Sequence, residues 1–213
     1  PATAAIFLPG KRVPREGQRL VQGDLARSLQ QIAAQGPRKG FYEGEIAEQI
    51  CAGLQPQGSP LATDDFAAFH AEWVEPITAS YRGYEAYELP PNTQGFTALQ
   101  ILKLIEGYDV IAWGEGTADY YHHMAEAVKI AFADREEWLT DPNFVKIPVQ
   151  QLISQAYVNE RRRLIDPERA LDIGTVPAGI AYEHPHERRA PDGDTCYFCA
   201  ADRDGMVVSL IQS

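Results

Sequence analysis

The chain has 213 residues, 45% of them hydrophobic and 23% charged, a balance that supports a folded core and excludes a disordered tail. Its formal net charge of −11 at pH 7 argues against nucleic acid or an anionic membrane as partner, because both demand a basic face, and solubility is reason enough for the charge. No apolar run reaches the roughly 18 residues needed to span a bilayer and no basic-then-apolar leader opens the chain, which reads as starting partway into a longer protein.

Residues 1–23 are rich in Pro, Gly, Arg and Lys without periodicity and read as a connector. Asp24 suits a helix N-cap, with Leu25, Leu29, Ile32 and Ala33 as the apolar face and Gly36-Pro37 as the stop. A second amphipathic helix is expected around Glu45 to Leu54, with Ile46, Ala47, Ile50, Cys51 and Leu54 on one side. Thr63-Asp64-Asp65 caps a short helix carrying Phe66 and Phe69. The runs ITASY and YEAYEL flank Arg82-Gly83 and predict a hairpin. Without a basic surface, its Tyr81, Tyr84 and Tyr87 fit half-buried packing better than stacking on bases.

The loop PPNTQG, residues 90–95, leads into a helix that runs to about Glu106, with Leu99, Leu102 and Ile105 apolar. It reads as a turn, although a glycine at a helix start also lets an anion approach exposed N–H groups. Thr117 opens the longest helix, whose expected buried side is Tyr121, Met124, Val128, Ala131 and Phe132, with Asp141-Pro142 as its stop. His122 and His123 are adjacent and point about 100° apart, unlike the i, i+4 pair of a helical zinc site, so no metal role is assigned to them. A further helix is expected over roughly 149–165, where Arg161-Arg162-Arg163 suits the helix dipole and solvent. Residues 174–194 carry prolines, glycines and acids without a period, as a functional or flexible segment does. Its His184-Pro185-His186 is too isolated to be read as a metal site.

Two apolar runs close the chain, Thr195 to Ala201 and Met206 to Ile211, joined by Asp202-Arg203-Asp204-Gly205. They predict a β-hairpin, and their near-continuous apolar character implies cover on both faces. Cys196 and Cys199 invite a redox or zinc reading, yet residues three apart on a strand point to opposite faces, which favours core packing. With Cys51 they form no disulfide framework. Thr195 stands at the head of a rigid strand, directly after a Pro- and Gly-rich segment. Cleavage between Asp194 and Thr195 would give it a free α-amine with a pKa of about 7.7–8.0, able to act as base to its own hydroxyl. Thr195 as a plain β-branched strand residue stands beside that reading.

Several blocks, in order, resemble the γ-glutamyltranspeptidase family. FYEGEIAEQI (41–50) is similar to its FYxGxIAxxI pattern, AEAVKIAFADR (125–135) to its AEAxKxAxADR stretch, and YRGYEAYELPP (81–91) and DPNFVKIP (141–148) match as well. The closing hairpin resembles the family's maturation site, where the second subunit starts with Thr and runs through a VVD-like triplet to a DG turn. Here those are Thr195, Ala200-Ala201-Asp202 and Asp204-Gly205. PPNTQG departs from the PPPSSGG common in transferring members and looks closer to acylase-like relatives.

The resemblance implies an α+β fold, the four-layer αββα sandwich of N-terminal nucleophile hydrolases, present as a fragment. Residues 1–194 would be the later part of the large subunit and 195–213 the start of the small one. It also implies self-cleavage of a zymogen at Asp194-Thr195, with Thr195 as nucleophile. Ser213 would be the second hydroxyl that hydrogen-bonds the nucleophile, a place where the family usually has Thr. The activity implied is hydrolysis of a γ-glutamyl amide, as in glutathione metabolism, or transfer of the γ-glutamyl group to an amino acid. Neither metal nor other cofactor is required. The alternatives are a cephalosporin or glutaryl β-lactam acylase on the same scaffold, and an uncleaved, inert binding or structural relative. The expected partners are a small γ-glutamyl or acyl amide and the protein's own remaining large- and small-subunit segments, with no nucleic acid and no membrane. Typical bacterial members imply a periplasmic or secreted location, acylase-like members leave a cytoplasmic one open, and the fragment alone is expected to be inactive.

Overall fold

A computed structural model describes residues 2–182 and 196–212, with side chains of the closing hairpin described for 199–208. Asp194, Thr195, Ser213 and the His184-Pro185-His186 run lie outside the described residues. The fold mixes helix and strand in two compact units, residues 1–73 and 74–213.

The first unit holds α1 (Ala2–Phe7), α2 (Gly23–Pro37), α3 (Glu45–Leu54) and α4 (Thr63–Ala68). Asp24 lies inside the first turn of α2 rather than at its cap, which is Gln22. The FYEGEIAEQI block turns out to be a packing motif. Within it a Cβ on Gly44 would sit 2.5 Å from the Lys39 carbonyl oxygen, and Gly40, just before it, lies so close to α2 that a Cβ would sit 2.8 Å from the Ile32 Cα. Ala47 and Cys51 are buried on α3, as expected. Arg38 closes the unit by donating to the carbonyls of Ala67 and Phe69 and to the Glu43 carboxylate. Leu25 and Leu29, expected to be buried, are about half exposed.

The second unit begins with β1 (Ile77–Tyr81) and β2 (Tyr84–Glu88), an antiparallel hairpin in which Tyr81 faces Tyr84. Its turn is the expected Arg82-Gly83, both with positive φ, 49° and 86°, the handedness that matches strand twist. Arg82 is held there by its N–H on the Glu106 carboxylate and its guanidinium on the Tyr108 carbonyl. Ile77 and Ala79 face the core, whereas Tyr84 and Tyr87 are mostly exposed, contrary to the half-buried role expected of them. Tyr87, opposite Thr78, lies on the open face of the ribbon, whereas Tyr84, opposite Tyr81, is on the core-facing side but at its turn end, beyond the cover that Ile77 and Ala79 receive.

α5 (Gly95–Glu106) is the central helix, with eight of its positions buried. Its first turns place Phe96 and Leu99 in a cluster with Ile77, Trp138, Leu152 and Tyr157. Its last turn places Leu104 and Ile105 against Ala127, Ile130, Ala131 and Val158. The short α6 (Val110–Trp113), capped by the Asp109 carboxylate, precedes α7 (Ala118–Trp138), which Thr117 caps as expected. Ser154 splits the expected helix over 149–165 into α8 (Val149–Leu152) and α9 (Gln155–Arg162), because its extended backbone and hydroxyl start a new N-terminus.

Two expectations for these helices are corrected. The buried face of α7 is His123, Glu126, Ala127, Ile130, Ala131, Asp134 and Trp138, while Tyr121 is 63% exposed and Phe132 39%. That is a rotation of roughly one residue, about 100°, from the apolar stripe. Nor is the arginine triplet simply a surface feature. Arg161 is buried, and Arg162 donates to the carbonyls of Lys103 (2.6 Å) and Leu104 (2.8 Å), satisfying groups that the end of α5 leaves open.

β3 (Cys196–Ala201) and β4 (Val207–Gln212) form the expected second hairpin. Residues 199–208 are exposed in this chain, among them Cys199, Met206, Val207 and Val208, so the core-packing role expected of Cys199 is not met here.

Candidate functional site

The candidate site is the approach to the Asp194-Thr195 bond from both sides. On the downstream side the hairpin register pairs Cys196 with Gln212, the immediate sequence neighbours of Thr195 and Ser213. The register is set at the other end of the ribbon. The Asp202 carboxylate accepts from the N–H groups of both Asp204 and Met206, each at 2.9 Å, the Asp202 N–H donates to the Met206 carbonyl, and Gly205 supplies a φ of 87°. A single residue thus fixes the tip, and the tip fixes which residues meet at the open end.

On the upstream side residues 166–182 are irregular but held. His122 lies 2.7 Å from the Asp166 carbonyl. Glu126, 1% exposed, accepts the Leu171 N–H at 2.9 Å while Lys129 donates to the Leu171 carbonyl. Asp134, 0% exposed, accepts the Gly179 N–H at 2.8 Å and the Gln100 amide at 2.6 Å. Trp138 donates its indole N–H to the Ile180 carbonyl, and Glu137 accepts the Tyr182 N–H. From α9, Arg161 donates to the Pro177 carbonyl and sits 3.4 Å from Asp134. A segment without its own ladder must place its backbone N–H groups somewhere, and here side chains of α7 take them.

Gly179 sits where no side chain fits, since a Cβ there would collide with the Tyr157 hydroxyl and approach the Arg161 Cδ to 2.7 Å. Burial pushes the Tyr157 hydroxyl well above its ordinary value of 10.0, and the nearby Asp134 carboxylate adds to the rise. The folded chain therefore keeps the phenolic proton where the unfolded chain has lost it, and stability is expected to fall as pH rises above about 10. Denaturation midpoints at about pH 9 and about pH 11 check this, and Tyr157→Phe should flatten the difference.

The other sequence candidates have local roles. His123 donates its Nδ1–H to the Asp119 carbonyl (2.8 Å) and stacks on Trp113, with ring centroids 4.2 Å apart. Among the described residues no group of three or more His, Cys, Asp or Glu could hold a metal. In PPNTQG the Thr93 hydroxyl bonds the carbonyls of Leu89 and Pro90, and the Gln94 amide oxygen accepts from Arg135. The loop is a built turn against β2, and Gly95 is required because a Cβ would strike the Leu89 carbonyl. Sequence reasoning passed over Glu126 and Asp134. The signal lay in two acids eight apart in a mainly apolar helical stretch, AEAVKIAFADR, whose other charged residues are Lys129 and Arg135.

Comparison with known proteins gives one family match, to the model described as Gamma-glutamyltranspeptidase, over residues 1–213. The chain is 41% identical over 213 residues to the "Glutathione hydrolase-like YwrD proenzyme" of Bacillus subtilis, covering all of this chain and 38% of that protein. It is also 41% identical, over 214 residues, to the "Acylase ACY 1 proenzyme" of Pseudomonas sp. strain SE83, covering all of this chain and 36% of that one. Among solved structures it is similar to the γ-glutamyltranspeptidase of Helicobacter pylori, with a TM-score of 0.71 and 33% identity over 87% of this chain and 53% of that chain. The chain thus spans little more than a third of the length of the curated relatives it matches.

Proposed function

Since the chain belongs to the γ-glutamyltranspeptidase family, we propose that it is the part of an N-terminal nucleophile amide hydrolase that carries the maturation point, and that Thr195 is the nucleophile. The observation that supports this reading is the hairpin register, which pairs Cys196 with Gln212, the residues adjacent in sequence to Thr195 and Ser213. Maturation begins when the Thr195 hydroxyl oxygen attacks the Asp194 carbonyl carbon. The C–N bond breaks as the C–O ester forms, and the hydroxyl proton passes to the leaving nitrogen. Water then hydrolyses the ester, leaving the Asp194 carboxylate and a Thr195 with both hydroxyl and amine free.

In the mature enzyme the amine takes the hydroxyl proton as Thr195 attacks the amide carbonyl of a γ-glutamyl compound, and gives it to the departing amine. The acyl-enzyme is released to water, or to the amine of an amino acid in transfer. The Ser213 hydroxyl orients the nucleophile by hydrogen bonding. No cofactor enters the scheme. The whole fold is the four-layer αββα sandwich, and the exposure of Met206, Val207 and Val208 in this chain supports it, because apolar strands of this kind take their cover from segments of the large and small subunits beyond this stretch.

A second reading, a cephalosporin or glutaryl acylase, is favoured by the equal identity to an acylase proenzyme and by PPNTQG. The full-length protein decides between them in one experiment. N-terminal sequencing is expected to find a new terminus at Thr195, and release from γ-glutamyl-p-nitroanilide to exceed release from a glutaryl-cephalosporin. The reverse ranking selects the acylase, and an uncut, inactive protein rejects both.

A further inference from the structure

We draw no further inference here: the strongest candidate, the largely apolar cleft of the first unit between α1 and residues 18–25 at the start of α2, is lined almost wholly by exposed residues, and nothing in the structure shows what covers it.

Discussion

A Thr195→Ala substitution in the full-length protein is expected to leave one uncut polypeptide and to lower amide hydrolysis by about 10⁴-fold or more. The size follows from the double use of a single side chain. Without the hydroxyl there is no attack on the Asp194 carbonyl, so the α-amine that would serve as base is never released. Both nucleophile and base are lost in one change. Thr195→Ser separates this from damage to the fold, since it keeps the oxygen and should keep both cleavage and turnover at a reduced rate. Intact mass and N-terminal sequencing read the first effect, and release from γ-glutamyl-p-nitroanilide reads the second. An alanine variant that is still cut, or that still turns over substrate near the wild-type rate, would place the nucleophile elsewhere.

Phe96→Ala is expected to destabilise the protein by about 3–5 kcal/mol, the cost of emptying a buried aromatic site that its surroundings cannot refill. Phe96 is 0% exposed and shares its cluster with Ile77 of β1, Trp138 of α7, and Leu152 and Tyr157 of the following helices. The cluster that this ring belongs to therefore ties α5 to β1, α7, α8 and α9. Tyr121→Ala is the matched control. Tyr121 has the same kind of ring on the helix face that hydropathy marked as buried, but it is 63% exposed, and its loss should cost under about 1 kcal/mol. Thermal or chemical denaturation of the two variants decides between the faces of α7. Similar losses at both positions would mean that the helix is turned the other way.

That helix shows where sequence reading succeeds and where it stops. Its start at Thr117 was legible because capping is local chemistry, a hydroxyl accepting from an N–H three residues on. Both hairpins were legible for the same reason, through Arg82-Gly83 and through the Asp202 to Gly205 turn. The buried face of α7 was not, because periodicity scores hydropathy and this face contains Glu126 and Asp134. These acids are buried by virtue of backbone N–H groups some 45 residues further along the chain, which no window of sequence contains. Arg162 escaped notice likewise, since its partners are carbonyls at the end of α5. The reading of Thr195 as a nucleophile comes from the resemblance of motifs, since the residues alone favour a plain strand threonine.

The Asp202 tip also sets a rule for how this stretch of chain can change in length. Six residues of strand, about 20 Å, lie between the tip and the open end of the ribbon. Because side chains alternate between faces, one residue added to either strand would turn every position beyond it inside out, whereas two would restore the faces but shift the partners. Because the Asp202 carboxylate bridges residues 202–206, the whole loop between the strands, neither strand nor loop can change length without disturbing the register. A deletion at the tip would act as a frameshift on the pairing at the open end, where Cys196 meets Gln212.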